Sequence, residues 1–429
     1  MATIFELTHG TWQERLEYVV AMMREMSGAK DPQKMVESYA ARVRKLLPGD
    51  RWMAISRRGL EPPHYRITRS SIWPRHINPW KEAELLPVHD RGLLQELLYT
   101  GEARIINNPA VDPNDPAGEH LADMKSLLVI PHFEGGRVLN MVITGSRDPD
   151  AFDHERLPEM LWLSNLFGRA THNLVLSEQV QAAYAAVDHE LQIVADIQRS
   201  LLPRAMPKVP TLDFAVNYQT SRRAGGDYYD FFEVPGGKLG IFLADASGHG
   251  TPATVMMAIT HSIAHSFPGP PQPPGEMLSY LNAQLTSRYT VENDSFVTAF
   301  YGIYDPQTHI LNFALAGHNP PRWRRSDGTI QPLGDNAGLP LGISAGETYP
   351  ETSQKLAVGD TVLFYTDGVT EASNSSNMQF GTDGLDKVLH QPRKTSAELI
   401  DALREALEEF TGGQAPEDDR TVLMVKVTE

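Results

Sequence analysis

The sequence predicts an α+β protein of two domains joined by a long helix, and three observations carry that reading. The first half passes from helical periodicity through a meander of short strand-like runs and back to helix. A heptad-spaced stretch follows and ends at a cluster of prolines. The second half alternates strand-like and helical runs and sets four aspartates in turn-forming contexts. A chain of 429 residues is also too long for one ordinary core.

Taken in order, Met1–Gly10 carries Glu6 and no basic run, so no signal peptide is expected. Thr11–Ser27 places Leu16, Val19, Val20 and Met23 at helical spacing, and Pro32–Leu47 predicts a second helix. Strands are expected at Arg51–Ser56, Ala103–Ile106, Lys125–His132 and Arg137–Ser146, with Gly135-Gly136 as a hairpin turn. Pro158–Val175 returns to helix. Val180, Tyr184, Val187, Leu191, Val194, Gln198 and Leu201 then alternate four and three apart, a coiled-coil seam interrupted by one polar residue. Pairing with a second copy is the preferred reading, and packing on a neighbouring domain is the other. Pro203, Pro207 and Pro210 stop the helix. Beyond them, strands are expected at Leu212–Gln219, Lys238–Ala244, Phe296–Tyr304, Ile310–Ala316, Thr361–Tyr365 and Thr421–Val427. Helices are expected at Thr251–Phe267, Glu276–Arg288 and Ser396–Phe410, the last opened by a capping box from Thr395 to Glu398. The expected segments are an N-terminal helical segment (1–30), a sensor-sized domain (31–177), a linker helix (178–203) and a second domain (204–429).

A net charge of −16 disfavours a nucleic acid or an anionic membrane as the main partner. Zero cysteines exclude disulfides, thiolate metal sites and every cysteine-nucleophile mechanism. No apolar run is long enough to span a bilayer, so a cytoplasmic protein is expected.

The chemistry lies in Asp227, Asp245, Asp367 and Asp418. Asp245 and Asp367 each end an apolar strand-like run, and Asp418 with Asp419 precedes the last one. A lone Asp-Gly is ordinarily a turn. Four such sites in one domain, gathered despite their mutual repulsion, make sense with a counter-ion. Carboxylates at strand ends are an open site for hard divalent cations, which points to a metal-dependent hydrolase acting on phosphorus through activated water.

These residues also carry a resemblance. Gly226-Asp227-Tyr228-Tyr229-Asp230, Asp245-x-x-Gly248-His249-Gly250, Ala316-Gly317-His318-Asn319, Tyr365-Thr366-Asp367-Gly368 and Asp418-Asp419-Arg420-Thr421 resemble, in family order, the PPM metal-dependent serine/threonine phosphatases of the bacterial sporulation-E branch. Ile197-Gln198-x-x-Leu201-Leu202-Pro203 resembles the helix leading into that domain. The resemblance implies two packed β-sheets flanked by helices and two divalent ions, Mn²⁺ or Mg²⁺. It implies that Asp245 bridges both ions, that the Ala246 carbonyl is a ligand, that Asp367 and Asp418 hold one ion, and that Asp227 is a ligand directly or through water. Asp245 and Asp367 are thereby the catalytic pair, acting through bound water. Asp419, His249 and Asn319 are neighbours of the centre. His249 stands four positions after Asp245, which departs from the spacing of the family's proton-donating histidine, and a capping role is its other reading. His318 is read equally as a loop residue. Arg222 and Arg223 precede Gly225 and are either phosphate-binding or a solvated turn.

The first domain resembles a GAF sensor module through its helix–strand order, the strand Leu127-Leu128-Val129-Ile130-Pro131 and the Gly135-Gly136 hairpin; a PAS-like module is the alternative. Together the resemblances imply a sensor-regulated phosphatase, expected to be cytoplasmic from its composition and homodimeric through the heptad seam. Its substrate would be a phosphorylated anti-sigma-factor antagonist or a similar signalling protein. An unknown small ligand or protein signal would act at the sensor. Two rivals stand beside this reading. A silent phosphatase-fold scaffold would be marked by lost carboxylates, and all four are present. A nuclease or phosphodiesterase would bring metal-binding histidines near these motifs.

Overall fold

Two helices, α1 (Trp12–Gly28) and α2 (Pro32–Val43), lead into the first of three sheets in the computed structural model. The structure describes residues 11–28, 30–43, 49–75, 77–290, 295–334, 337–391 and 393–429, so the expectation for Met1–Gly10 lies outside the described residues. The chain divides into two compact units, Met1–Tyr184 and Ala185–Glu429.

The first unit is built on strands β1 (Arg51–Ser56), β2 (Tyr65–Ser70), β3 (Val88–His89), β4 (Arg104–Asn107), β5 (Ser126–Glu134) and β6 (Arg137–Ser146), with helices α3 (Leu93–Thr100) and α4 (Gly118–Leu121) between them. They form one antiparallel sheet in the order β3-β2-β1-β6-β5-β4. Alternation decides its faces. Met53, Ile55, Tyr65, Ile67, Val129 and Met141 point to a core shared with Leu94, Leu97 and Leu98 of α3. The intervening residues face the other way, where Leu128 and Ile130 pack with Met160 of α5 (Leu157–Leu201). Strand β2 and helix α3 had no counterpart among the sequence expectations. Tyr65-Arg66-Ile67-Thr68 does alternate, but Pro62-Pro63 just before it reads as loop.

The expected helix over Pro158–Val175 and the seam over Val180–Leu201 are one helix, α5. Val180, Tyr184, Val187 and Leu191 of the seam are exposed. Its far end departs from expectation. Gln198 is buried, and Leu201 packs with Leu202 against a core of the second unit. The polar interruption is therefore a buried contact of the second unit's own fold.

The second unit continues with β7 (Leu212–Gln219), β8 (Asp227–Val234), β9 (Lys238–Ala246), α6 (Thr251–His265), α7 (Pro274–Arg288), β10 (Val297–Asp305) and β11 (Ile310–Ala316). Short strands β12 (Arg322–Arg324), β13 (Ile330–Pro332), β14 (Ala337–Gly338) and β15 (Thr352–Lys355) precede β16 (Thr361–Tyr365), α8 (Asp367–Thr370), α9 (Gly381–Leu389), α10 (Ser396–Thr411) and β17 (Arg420–Val427). One sheet runs β14-β11-β10-β9-β8, with β15 added on β11; the other runs β13-β12-β16-β17-β7. Ile241, Leu243, Phe300, Phe364, Leu423 and Val425 fill the space between the sheets. On the outer face of the first sheet, Phe242 and Ala244 meet Met257, Leu278 and Leu281 of α6 and α7. On the outer face of the second, Leu363 and Met424 meet Leu385, Leu399 and Leu403 of α9 and α10. The result is a four-layer α/β/β/α sandwich. Among the described residues no helix is long and apolar enough to cross a membrane.

Candidate metal centre

The same alternation that fills the sandwich delivers the acidic residues to its end. Odd-numbered residues of β8 and β9 face the second sheet, so Asp227 and Asp245 point inward, and they stand directly opposite each other in the ladder. From the facing sheet, Thr366 just past β16 and Thr421 at the start of β17 keep the inward phase. Both hydroxyls donate to Asp227 Oδ2, at 2.8 and 2.6 Å. The other oxygen, Asp227 Oδ1, is buried and has no hydrogen-bond partner among the described residues.

Asp367 opens α8 where β16 ends, and it lies within hydrogen-bonding reach of Asp245. Burial pushes the Asp245 carboxyl well above the usual carboxylate range, and the charges of Asp227, Asp367 and Asp418 push the same way. Burial likewise raises Asp227, with Asp419 and Asp367 adding to it against the opposing threonine hydrogen bonds. Asp418 is half-buried and also raised, by burial and by Asp367 and Asp419; the Asp419 N–H at 2.8 Å and nearby His249 oppose this. Four carboxylates thus share one sandwich end, where burial and the neighbouring charges make Asp227, Asp245 and Asp418 costlier to ionise.

The neighbouring aspartate has a different task. Asp419 is buried, and both its oxygens are occupied. Oδ1 accepts from the Ser221 N–H at 2.7 Å and the Ser221 hydroxyl at 3.1 Å, and Oδ2 accepts from the Gly226 N–H at 2.6 Å. It ties the loop before β8 to the start of β17. Glycines make this approach possible. A Cβ on Gly225 would overlap the Asp419 carboxylate, one on Gly368 would overlap the Asp419 carbonyl oxygen, and one on Gly226 would stand 2.7 Å from the Ala246 carbonyl oxygen. The carbonyl of buried Ala246 therefore sits against the Gly226 backbone, beside Asp227.

Gln198 closes the loop from the other side. Its Nε2 donates to the Gly225 carbonyl at 2.7 Å and its Oε1 accepts from the Gly225 N–H at 3.1 Å. Nε2 also donates to the Tyr218 hydroxyl at 3.0 Å, which donates to the Asp227 carbonyl at 3.2 Å.

His249 is exposed in the loop between β9 and α6, near Asp418. His318 is buried; its Nδ1 bonds the Thr298 hydroxyl at 2.8 Å, and Thr298 is the ladder partner of Asp245. Burial holds the His318 pKa down to about 4, so it is a neutral structural support. Asn319 is half-buried in the loop after β11. Arg223 is engaged by Asp188 at 2.9 and 3.0 Å and by Gln192 at 3.3 Å. Arg420 is buried, donates to the Gly368 carbonyl at 3.2 Å, and lines a polar cavity of 410 Å³ beside Asp418 with Glu371, Asn377 and Gln414. Asp419 was expected as a neighbour but without its loop-holding contacts, and Thr366, Thr421 and Gln198 lay within the quoted motifs with no part in the site assigned to them. Strand parity could have found the two threonines; the contacts of Asp419 and Gln198 cross long sequence separations and leave no local signal.

The donor set fits hard divalent ions. It consists of carboxylates and a backbone carbonyl, with a buried acceptor oxygen that no donor among the described residues reaches.

Comparison with known proteins agrees with this geometry. The stage II sporulation protein E (SpoIIE) family matches residues 235–428. The C-terminal domain is a SpoIIE-type PPM phosphatase domain. The match begins after Asp227, so that residue rests on the structure. This phosphatase domain is similar to phosphoserine phosphatase RsbU of Bacillus subtilis (strain 168), at 29% identity over 242 residues, covering 56% of this chain and 70% of RsbU. It is also similar to protein IcfG of Synechocystis sp., at 26% identity over 261 residues, covering 55% of this chain but 41% of IcfG. The SiaA PP2C domain of Pseudomonas aeruginosa superposes with a TM-score of 0.51 at 22% identity, covering 57% of this chain and 98% of that domain. That likeness carries the fold: the phosphatase domain is a PP2C-like sandwich in an α+β chain. The protein is a PPM-type protein-serine/threonine phosphatase.

Proposed function

We propose that the chain is a divalent-metal-dependent phosphoprotein phosphatase whose centre is Asp227, Asp245, the Ala246 carbonyl, Asp367 and Asp418. One observation carries the assignment: Asp227 and Asp245 oppose each other at the sandwich end, and Asp227 keeps a buried oxygen without a partner among the described residues. When bound, two Mn²⁺ or Mg²⁺ ions supply an activated water and neutralise the phosphoryl oxygens. The chain's own residues fix the frame. Thr366 and Thr421 orient Asp227, Asp419 and Gln198 hold the loop before it, and the raised proton affinities of Asp227 and Asp245 are relieved when cations take the place of protons. The polar cavity beside Asp418 offers room for the phosphorylated residue's surroundings. Hydrolysis of phosphoserine peptides by the full chain should be abolished by EDTA and restored by Mn²⁺. Full activity in EDTA would refute the assignment.

The finer reading follows the sporulation-E resemblance: a cytoplasmic regulator that dephosphorylates an anti-sigma-factor antagonist or similar small protein. The first unit is read as a GAF-like sensor. What supports a ligand there is a cavity of 310 Å³ between its sheet and its helices, lined by Ala54, Arg66, Ile130, His132, Asn140 and Phe167. Ala54→Phe should fill it and remove ligand-induced thermal shifts. A homodimer through α5 is supported by the exposed apolar seam, with Tyr184 74% and Val187 55% exposed. Tyr184→Glu with Val187→Glu should yield a monomer by light scattering; an unchanged mass would refute that pairing.

A further inference from the structure

Strand β8 carries a second aspartate on the opposite phase from Asp227. Tyr228, Asp230 and Phe232 point away from the sandwich interior, toward α6. Asp230 is buried at 7% exposure. Helix α6 presents His261 and His265, four residues apart and so on one face, with ring centroids 4.3 Å apart. His265 Nε2 lies 2.7 Å from Asp230 Oδ2, and His261 Nδ1 lies 3.8 Å from the same oxygen. One ligand atom from each of the three residues lies within 4.8 Å of the other two. The fully buried Tyr228 hydroxyl hydrogen-bonds Asp230 Oδ2 and stands 3.0 Å from His261 Nδ1.

We propose that Asp230, His261 and His265 form a second metal site of zinc-type chemistry, separate from the carboxylate centre. Two imidazoles and one carboxylate are a borderline donor set that selects Zn²⁺ over Mg²⁺, whereas the sandwich end offers oxygen alone. Metal–ligand bonds of about 2.0–2.2 Å need the three donor atoms roughly 3.3 Å apart, which side-chain rotation reaches from the present spread. Burial and the neighbouring His265 depress the proton affinity of His261 while Asp230 opposes them, a direction that favours metal binding at the ring nitrogen. Tyr228 then acts as the outer partner that orients both the carboxylate and the ring. The His265 side chain is 46% exposed, which leaves the fourth position open to water from the solvent side. The site clips β8, which begins at Asp227, to α6, which follows the Ser247–Gly250 loop. Its occupancy would brace two elements that flank the carboxylate centre.

The full chain, stripped by chelator and returned to excess Mg²⁺, is titrated calorimetrically with Zn²⁺. One equivalent is expected in the wild type. His265→Ala should weaken it at least tenfold, and His261→Ala with His265→Ala should remove it, while Asp367→Asn retains it. A circular dichroism melt confirms that the variants are folded, and His265→Ala at the solvent edge serves where the double variant fails to fold. Zinc should raise the melting temperature of the wild type and not that of His265→Ala. No zinc uptake in the wild type, uptake unchanged by either histidine substitution, or loss of the equivalent in Asp367→Asn would each overturn the proposal.

Discussion

Asp418 and Asp419 are adjacent, equally acidic and equally part of the sequence motif, yet their contacts predict opposite responses to the same substitution. Asp419→Asn leaves one carbonyl oxygen where two carboxylate oxygens now accept from the Ser221 and Gly226 N–H groups at 2.7 and 2.6 Å. One of those backbone donors, the Ser221 N–H part-buried or the Gly226 N–H buried, must then face an NH₂ group. Losing a hydrogen bond to a charged acceptor and stranding its donor costs roughly 2–5 kcal/mol, less whatever is regained by removing a charge near Asp227. For a domain of this size that is a fall of roughly 5–15 °C in melting temperature. Asp418→Asn keeps an oxygen for the Asp419 N–H at 2.8 Å, and removes a charge that now raises the proton affinity of Asp245. The metal-free protein should therefore melt at the same temperature or higher, while activity at saturating Mn²⁺ falls about 100-fold or more, since even outer-sphere partners cost roughly 10–100-fold. Differential scanning calorimetry in EDTA and a phosphopeptide assay across a Mn²⁺ series read the two effects. If Asp418→Asn destabilises as much as Asp419→Asn, or keeps full activity, the division of roles is wrong.

Three further outcomes are expected. Gly368→Ala drives a Cβ into the Asp419 carbonyl oxygen and should cost about 1–3 kcal/mol with a matching loss of activity; a neutral melt would show that the backbone there yields. Thr421→Val removes the 2.6 Å donor to Asp227 at nearly constant volume, so the Mn²⁺ concentration for half-maximal rate should rise about tenfold while the saturated rate is held; an unchanged metal dependence would exclude the orienting role. Burial holds the His132 pKa down to about 4, below its ordinary value, so the unfolded chain takes up a proton that the native one does not. The first unit should thus lose stability as pH falls from about 6.5 toward 4, by up to about 1.4 kcal/mol per pH unit, and His132→Gln should flatten that slope in its melting transition.

The carboxylates were legible because continuous apolar runs such as Leu239–Ala244 and Val362–Tyr365 announce a strand, and the aspartate after each run is then at its tip. Strand β8 was not, since Tyr-Tyr-Asp-Phe-Phe-Glu mixes β-prone aromatics with acids that disfavour strands, and its pairing with β9 is what settles it. Gln198 fell on a heptad position and so read as a coiled-coil interruption. Its true partner, Gly225, is a backbone group that no side-chain periodicity can reveal. The short strands β12 to β15 escaped for a related reason, being held by neighbours rather than by their own composition.

The paired contact between Gln198 and Gly225 has a mechanical consequence. A side-chain amide that gives and receives on one residue's backbone fixes both the depth and the phase of the helix end that carries it. In an α-helix, slipping by one residue turns a side chain by about 100° and shifts it about 1.5 Å, far beyond hydrogen-bonding tolerance. Such a slip would break both bonds together and release the backbone two positions before Asp227, whose buried carboxylate is aimed by groups on the other sheet. The terminus of α5 therefore behaves as a key with one seated position: seated, it holds the aspartate's loop in register, and turned, it lets that register go.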